Sequence, residues 1–330
     1  MKCIVKRLIA ILLTAVLTAG IIGCGSEIPL DEKYDIYQTT ERYGIRIASQ
    51  SGFSSLGFFA EDLAVGGNTD ITDESVTEDL SLAAGLFQLQ DQDILYAKSI
   101  HERLHPASTT KILTAYVALK YGDLSSVATV SETALDLEPG AVTCGLSAGD
   151  QITLEELMYG LLLCSGNDAA NVIAELISGS IEDFANLMNQ EARALGATNT
   201  HFVNPNGLTD EQHYTTVYDL YLMFQAALQD ERFYHMITTE EHTGTFQNSQ
   251  GETVTKEWTT TNQYLNGNQE LPEGVTVVGG KTGTTKAAGN CLVLYSENQS
   301  GVPYISIVMK ADDRDHLYYQ MTELLKKTWN

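Results

Sequence analysis

Positive charge is scarce in this chain of 330 residues: 19 Lys and Arg stand against 43 Asp and Glu, a formal net charge of -24. A surface of that sign has no sequence-independent grip on phosphate backbones, so nucleic acid is not an expected partner. Proline is scarce too, at 6 residues, and the 27 glycines are spread over the whole length, which removes collagen-like and proline-rich architectures. The most extended apolar run, Leu8 to Ile22, has 15 residues, whereas a spanning helix needs about 20. What remains is 43% hydrophobic and 8% aromatic, an ordinary globular composition with enough apolar residues for a core.

The N-terminus reads as an export signal. Lys2, Lys6 and Arg7 precede the apolar run, and no acidic residue occurs before Glu27. Its end, Ile21-Ile22-Gly23-Cys24, is similar to the lipobox of bacterial lipoproteins. That likeness implies removal of residues 1–23 and a lipid on Cys24, which would hold the chain at the extracytoplasmic face of the cell membrane. The plainer alternative is a common secretory signal with an incidental cysteine. Without residues 1–23 the chain has 16 basic and 43 acidic residues, so anionic headgroups repel it and membrane attachment rests on the lipid. Of the five cysteines, Cys144, Cys164 and Cys291 then remain, an odd number with no pair close in sequence, and no disulfide framework is expected. Cys164 and Cys291 lie in apolar runs, where a thiol behaves as a small buried hydrophobe.

Residues 24–78 lack sustained periodicity and read as a tether; residues 79–330 read as one domain. Short alternating runs at 83–89 and 94–99, separated by Gln90-Asp91-Gln92-Asp93, predict a hairpin, and 289–296 with 302–309 predict another. Between them helical signals dominate. Thr153 with Glu156 predicts a capping box leading into 157–164; Ser180 with Asp183 starts a helix that Gly196 can end; a third runs over about 216–229. A last helix is expected over 315–328. Strands at both ends with helices between them predict an α/β (α+β) domain in which the two hairpins share one sheet and the helices pack beside it.

Three short motifs stand in order: Ser108-Thr109-Thr110-Lys111, Ser165-Gly166-Asn167 and Lys281-Thr282-Gly283. Positions i and i+3 share one helical face, so Lys111 can bring its amine to the Ser108 hydroxyl. Burial and a second cation nearby, with Lys281 the candidate, would lower the affinity of that amine for its proton and let it accept one from serine. Pro106 fits a helix start, where backbone N–H groups favour developing negative charge. The third motif, within Val277-Val278-Gly279-Gly280-Lys281-Thr282-Gly283-Thr284, reads as a strand carrying a cation and hydroxyls suited to an anionic peptide end.

With their surroundings, Pro106-Ala107 before the first motif, Asp168-Ala169-Ala170 after the second, His201-Phe202-Val203-Asn204-Pro205-Asn206-Gly207-Leu208, His213-Tyr214-Thr215-Thr216 and Ala288-Gly289, these residues resemble the D-alanyl-D-alanine carboxypeptidases among the low-molecular-mass penicillin-binding proteins. The likeness covers roughly residues 80–330. It implies a β-lactamase/DD-peptidase-like fold, an antiparallel sheet flanked by helices with an all-helical subdomain, and an active site between them. It further implies acylation of Ser108 by peptidoglycan stem peptides ending in D-Ala-D-Ala, β-lactams as covalent inhibitors, and no cofactor or metal. In that scheme Lys111 is the base, Ser165 relays protons, Asn167 orients the substrate backbone, Lys281 with Thr282 and Gly283 receives the terminal carboxylate, and the Ser108 and Thr284 N–H groups form the oxyanion hole. Larger members carry a further β-rich domain and a C-terminal anchor; here only 47 residues follow Gly283, and the lipid on Cys24 is expected to replace that anchor.

Three other readings use the same residues and a fourth uses a separate motif. A class A-like β-lactamase needs a carboxylate in a Glu-x-x-x-Asn pattern between the second and third motifs, and none occurs. A penicillin or muropeptide sensor would acylate without turnover, and endopeptidase action is the same chemistry on a cross-link. His101-Glu102-Arg103-Leu104-His105 matches a zinc-peptidase signature, but Pro106 disfavours helix at His105.

Overall fold

The computed structural model describes residues 62–72 and 74–329. The expected signal segment, Cys24 and the tether as far as residue 61 lie outside the described residues. No helix among the described residues is long and apolar enough to cross a membrane.

In chain order the described residues form β1 (Ser81–Gln88), β2 (Asp93–Lys98), a 3-10 turn (Ala107–Thr110), α1 (Lys111–Tyr121), β3 (Val127–Thr129), β4 (Gln151–Thr153), α2 (Leu154–Leu162), α3 (Asn167–Ser178), α4 (Ile181–Ala194), α5 (Val217–Leu228), α6 (Glu231–Thr238), β5 (Glu241–Gln247), β6 (Thr253–Thr259), β7 (Val275–Thr285), β8 (Gly289–Asn298), β9 (Pro303–Ala311) and α7 (Arg314–Lys326).

Both expected hairpins form, and they join in one antiparallel sheet of order β2-β1-β9-β8-β7. Alternation along the strands sorts side chains to two faces. Phe87, Val293, Ile305, Ile307 and Met309 enter a core shared with α1, α2, α3 and α5. Leu86, Tyr96, Leu292, Leu294, Tyr304 and Val308 pack instead on Leu317, Tyr318, Met321, Leu324 and Leu325 of α7. Each such side chain taken from water contributes about 1.5–3 kcal/mol, an upper figure because unfolded chains already bury some surface. Burial on both faces explains why β8 and β9 read as nearly continuous apolar runs.

The helix signals act as expected, with shifted bounds. Thr153 Oγ1 accepts from Glu156 N at 3.3 Å, Ser180 Oγ from Asp183 N at 3.0 Å and Thr216 Oγ1 from Asp219 N at 3.0 Å. The Thr153 box is half formed, because the Glu156 carboxylate meets His242 Nε2 at 2.7 Å rather than returning to its own cap. Gly196, at φ +86°, closes α4: its N–H donates to Arg193 O and that of Ala197 to Ala192 O, the paired bonds of a left-handed helix end.

Two features depart from expectation. A second antiparallel sheet, β3-β4-β5-β6, borders the helical region; β3 and β4 have three residues each and β5 and β6 are largely exposed, so their hydrophobic pattern is too sparse to read. The packed domain also begins earlier than residue 79. Ala64 is fully buried, Tyr221 Oη accepts from its N–H at 2.9 Å and Tyr218 Oη donates to its C=O at 3.0 Å. Ile71 bridges Ala97, and Thr77 N donates to Glu323 Oε2 at 2.8 Å. This stretch has irregular backbone and therefore no period, yet long-range hydrogen bonds hold it.

Candidate active site

Ser108 lies in the 3-10 turn, not on the helix proper, and α1 begins at Lys111. The i,i+3 relation survives because side chains three apart eclipse in a 3-10 turn. Lys111 Nζ is 2.9 Å from Ser108 Oγ. Ala107, immediately before the serine, takes φ +49°, a conformation that L-residues avoid and that surrounding contacts must impose. Those contacts are visible: Thr110 Oγ1 donates to Ala107 O at 2.9 Å and Thr109 Oγ1 to Pro106 O at 2.8 Å.

Lys111 is fully buried and meets two further acceptors, Asn167 Oδ1 at 2.7 Å and Asn206 O at 2.6 Å. All three partner oxygens of the amine are neutral. Burial therefore holds the amine well below the usual lysine range, and the Lys281 ammonium lowers it further. Lys281, 1% exposed, donates from Nζ to Ser165 Oγ at 2.9 Å and Thr282 O at 3.0 Å; burial pushes it down to about 7. Lys111 thus loses its proton first, since it bears both burial and a neighbouring charge.

The second motif occupies the break between α2 and α3. Ser165 takes φ +65°, Gly166 N donates to Gly160 O at 3.0 Å, and Asn167 N donates to Val142 O at 2.9 Å as α3 begins. Asp168, fully buried, accepts from Cys144 N at 2.8 Å, Leu146 N at 3.2 Å and Ala169 N at 2.9 Å. The third motif lies on β7. A Cβ on Gly283 would stand 2.9 Å from Ser108 N and 3.0 Å from Thr109 N, so only glycine lets this strand lie against the serine turn. Thr282 Oγ1 shares a 2.6 Å hydrogen bond with Thr261 Oγ1, and the exposed Thr284 donates from Oγ1 to Asn290 Oδ1 at 3.1 Å.

Ser108, Lys111, Ser165, Asn167, Lys281, Thr282, Gly283 and Thr284 are therefore gathered in one crevice between β7 and the helices. Part of what builds it carried no assigned role in the sequence. Asn204 Oδ1 accepts from Asn206 N and Gly207 N, and Asn206 Nδ2 donates to Asn171 Oδ1. This turn aims Asn206 O at Lys111. Its signal was the Asn-Pro-Asn-Gly run, a turn composition. His213 is buried and pushed down to about 3; Val203 N donates to Nδ1, so Nε2–H donates to Thr110 Oγ1 at 2.9 Å and steadies the turn.

The zinc-peptidase reading fails on geometry. Residues 101–105 form no helix, His101 Nε2 meets Gly66 O at 3.2 Å, and His105 Nδ1 meets His213 O at 2.9 Å, so the rings serve separate segments.

The D-alanyl-D-alanine carboxypeptidase family model matches residues 73–313. The chain belongs to this family. Among its relatives, D-alanyl-D-alanine carboxypeptidase DacF of Bacillus subtilis is 34% identical over 248 residues, 74% of this chain and 60% of that protein. DacC of Escherichia coli is 34% identical over 247 residues, 72% of this chain and 57% of that protein. The chain spans about three-fifths of the length of such curated relatives. The crystal structure of the Streptomyces K15 DD-transpeptidase superposes with a TM-score of 0.70 at 27% identity, covering 76% of this chain and 97% of that one. The expected fold class is thereby established.

Gly207 supplies a test of the frame. At φ +89°, a Cβ there would stand 1.9 Å from Ala107 O. Gly207→Ala is expected to lower unfolding free energy by at least about 2 kcal/mol through strain and overpacking, read by denaturant titration; an unchanged midpoint would refute the close approach.

Proposed function

We propose that the chain is a serine-type D-Ala-D-Ala carboxypeptidase that trims peptidoglycan stem pentapeptides through an acyl-enzyme on Ser108. The observation that carries the reading is the buried Lys111 amine, bonded to the Ser108 hydroxyl and to two carbonyl oxygens. Carbonyl oxygens only accept, so they take the two N–H bonds of a neutral amine. Its lone pair is left facing Ser108 Oγ–H, the geometry of a general base.

In this scheme Ser108 Oγ bonds to the carbonyl carbon of the penultimate D-alanine while its proton passes to Lys111. The terminal D-alanine leaves as its amine takes up a proton, for which the Ser165 hydroxyl beside Lys281 is the relay. Water then cleaves the ester and restores the serine. Lys281 and the Thr282 hydroxyl receive the substrate carboxylate on β7, Gly283 lets that strand approach, Asn167 presents its amide edge to the peptide, and the N–H groups of Ser108 and Thr284 stabilise the oxyanion, each such donor being worth about 3–4 kcal/mol. Release of free D-alanine from a pentapeptide, abolished in Ser108→Ala, is expected; equal release by that variant would end the proposal.

β-Lactams enter as substrate mimics with slow turnover. The acceptors around Lys111 are neutral, and Asp168, beside the second motif, is saturated by backbone N–H groups, which supports a site without the water-activating carboxylate of a class A β-lactamase. A penicillin adduct on Ser108, followed by mass spectrometry, should persist for many minutes; rapid loss with drug hydrolysis favours the β-lactamase reading.

The pH dependence follows from the two lysines. Lys111 must be neutral and Lys281 charged, so kcat/KM should rise as Lys111 deprotonates and fall above about pH 7 as free-enzyme Lys281 loses its proton. Bound carboxylate raises the proton affinity of Lys281, so kcat should hold to higher pH than kcat/KM. A kcat/KM flat from about pH 6 to 9 contradicts the assignment.

We also infer lipid anchoring at Cys24 on the extracytoplasmic membrane face, supported by the Gly23-Cys24 junction after the apolar run. Cys24→Ala should move the protein from the membrane to the soluble fraction; an unchanged distribution refutes it.

A further inference from the structure

Cys144 and Cys164 have no assigned role, and folding brings them together. Cys144 lies in the irregular segment between β3 and β4, 20 positions before Cys164 at the end of α2. Its sulfur stands 2.5 Å from where a Cβ on Gly160 would be and 2.0 Å from where one on Gly166 would be. The Cys164 thiol donates to Gly160 O at 3.2 Å. Both sulfurs thus flank Gly160, and the two bare glycines make the room that Cys144 Sγ occupies.

The thiols also sense one another. Burial holds the proton on Cys144 and the neighbouring Cys164 adds to that effect, whereas Cys144 lowers the proton affinity of the Cys164 thiol. Cys144 is buried, whereas Cys164 is partly exposed. Access and thiolate character therefore coincide on Cys164, the requirement for an attacking thiol, while Cys144 is placed to resolve. Their backbones are already fixed to one another: Cys144 N donates to Asp168 Oδ1 at 2.8 Å, Asn167 N to Val142 O at 2.9 Å and Gly166 N to Gly160 O at 3.0 Å. The third described cysteine, Cys291, is fully buried in β8, its thiol donating to Ala288 O at 3.6 Å.

We propose that Cys144 and Cys164 are a disulfide-forming pair, oxidised by exchange with a small-molecule or protein disulfide, and that the bond staples the 144 segment to the turn carrying Ser165. Cys164 gives up its proton and its thiolate attacks one sulfur of the oxidant; the other sulfur leaves as a thiolate and takes up that proton. Cys144 then attacks the Cys164 sulfur of the mixed disulfide. The second oxidant thiolate leaves with the Cys144 proton, so two thiols become one disulfide and the oxidant disulfide becomes two thiols. An exported chain meets such oxidants.

The test uses the full chain in detergent, incubated with oxidised glutathione, quenched in acid, alkylated and mapped by mass spectrometry. A reducible peptide pair joining Cys144 to Cys164 is expected. With it, Tm should rise by about 3 °C or more in wild type and stay unchanged in Cys144→Ala treated alike. Free thiols at both positions, a lasting glutathione adduct on Cys164, a bond to Cys291, or a linked pair without the rise in Tm would each overturn the proposal. Neither readout depends on D-alanine release, so its failure is distinguishable from failure of the proposed reaction.

Discussion

Two lysine amines buried in one crevice cannot both stay charged, and most of the surrounding structure is arranged around that constraint. Burial disfavours each ammonium, and the Lys281 charge lowers Lys111 further. The amine that loses its proton first is the one beside the Ser108 hydroxyl. The amine that keeps its proton longer lies on β7, bonded to the Ser165 hydroxyl and the Thr282 carbonyl.

Holding those groups requires close backbone contact from two directions. The serine turn is approached by β7 at Gly283 and by the 204–207 turn at Gly207, and at both places a side chain would collide with backbone. Ala107 and Ser165 adopt left-handed conformations beside these contacts, so local strain is confined where tertiary packing can hold it. Asp168 performs a related task, accepting from the Cys144 and Leu146 N–H groups and so pinning the 144–146 segment to α3. That pinning also brings Cys144 to Cys164.

Much of the fold was legible because its signals are local. Thr153, Ser180 and Thr216 begin helices, Gly196 ends one, and alternating runs mark the two hairpins. The second sheet was not legible, since β3 and β4 are too short for a period and β5 and β6 bury few side chains. Residues 62–77 looked like tether for a similar reason: hydrogen bonds such as that between Ala64 and Tyr221, 157 positions apart, leave no trace in local composition. The site was legible as residue types at characteristic spacings, whereas the parts played by Asn206, Asp168 and His213 were not, because each acts through a backbone group or at long range.

By itself the sequence determined which chemical groups were present and which neighbours in the chain could meet: a serine with an amine three residues on, a strand carrying a lysine between glycines. Only the tertiary structure decided that Lys111 and Lys281 are both buried, that the acceptors around Lys111 are neutral, and that two cysteines 20 positions apart share one space. Proton affinity depends on solvent exclusion and on charges converging from distant parts of the chain, and those exist only once the sheet and the helices have closed on each other.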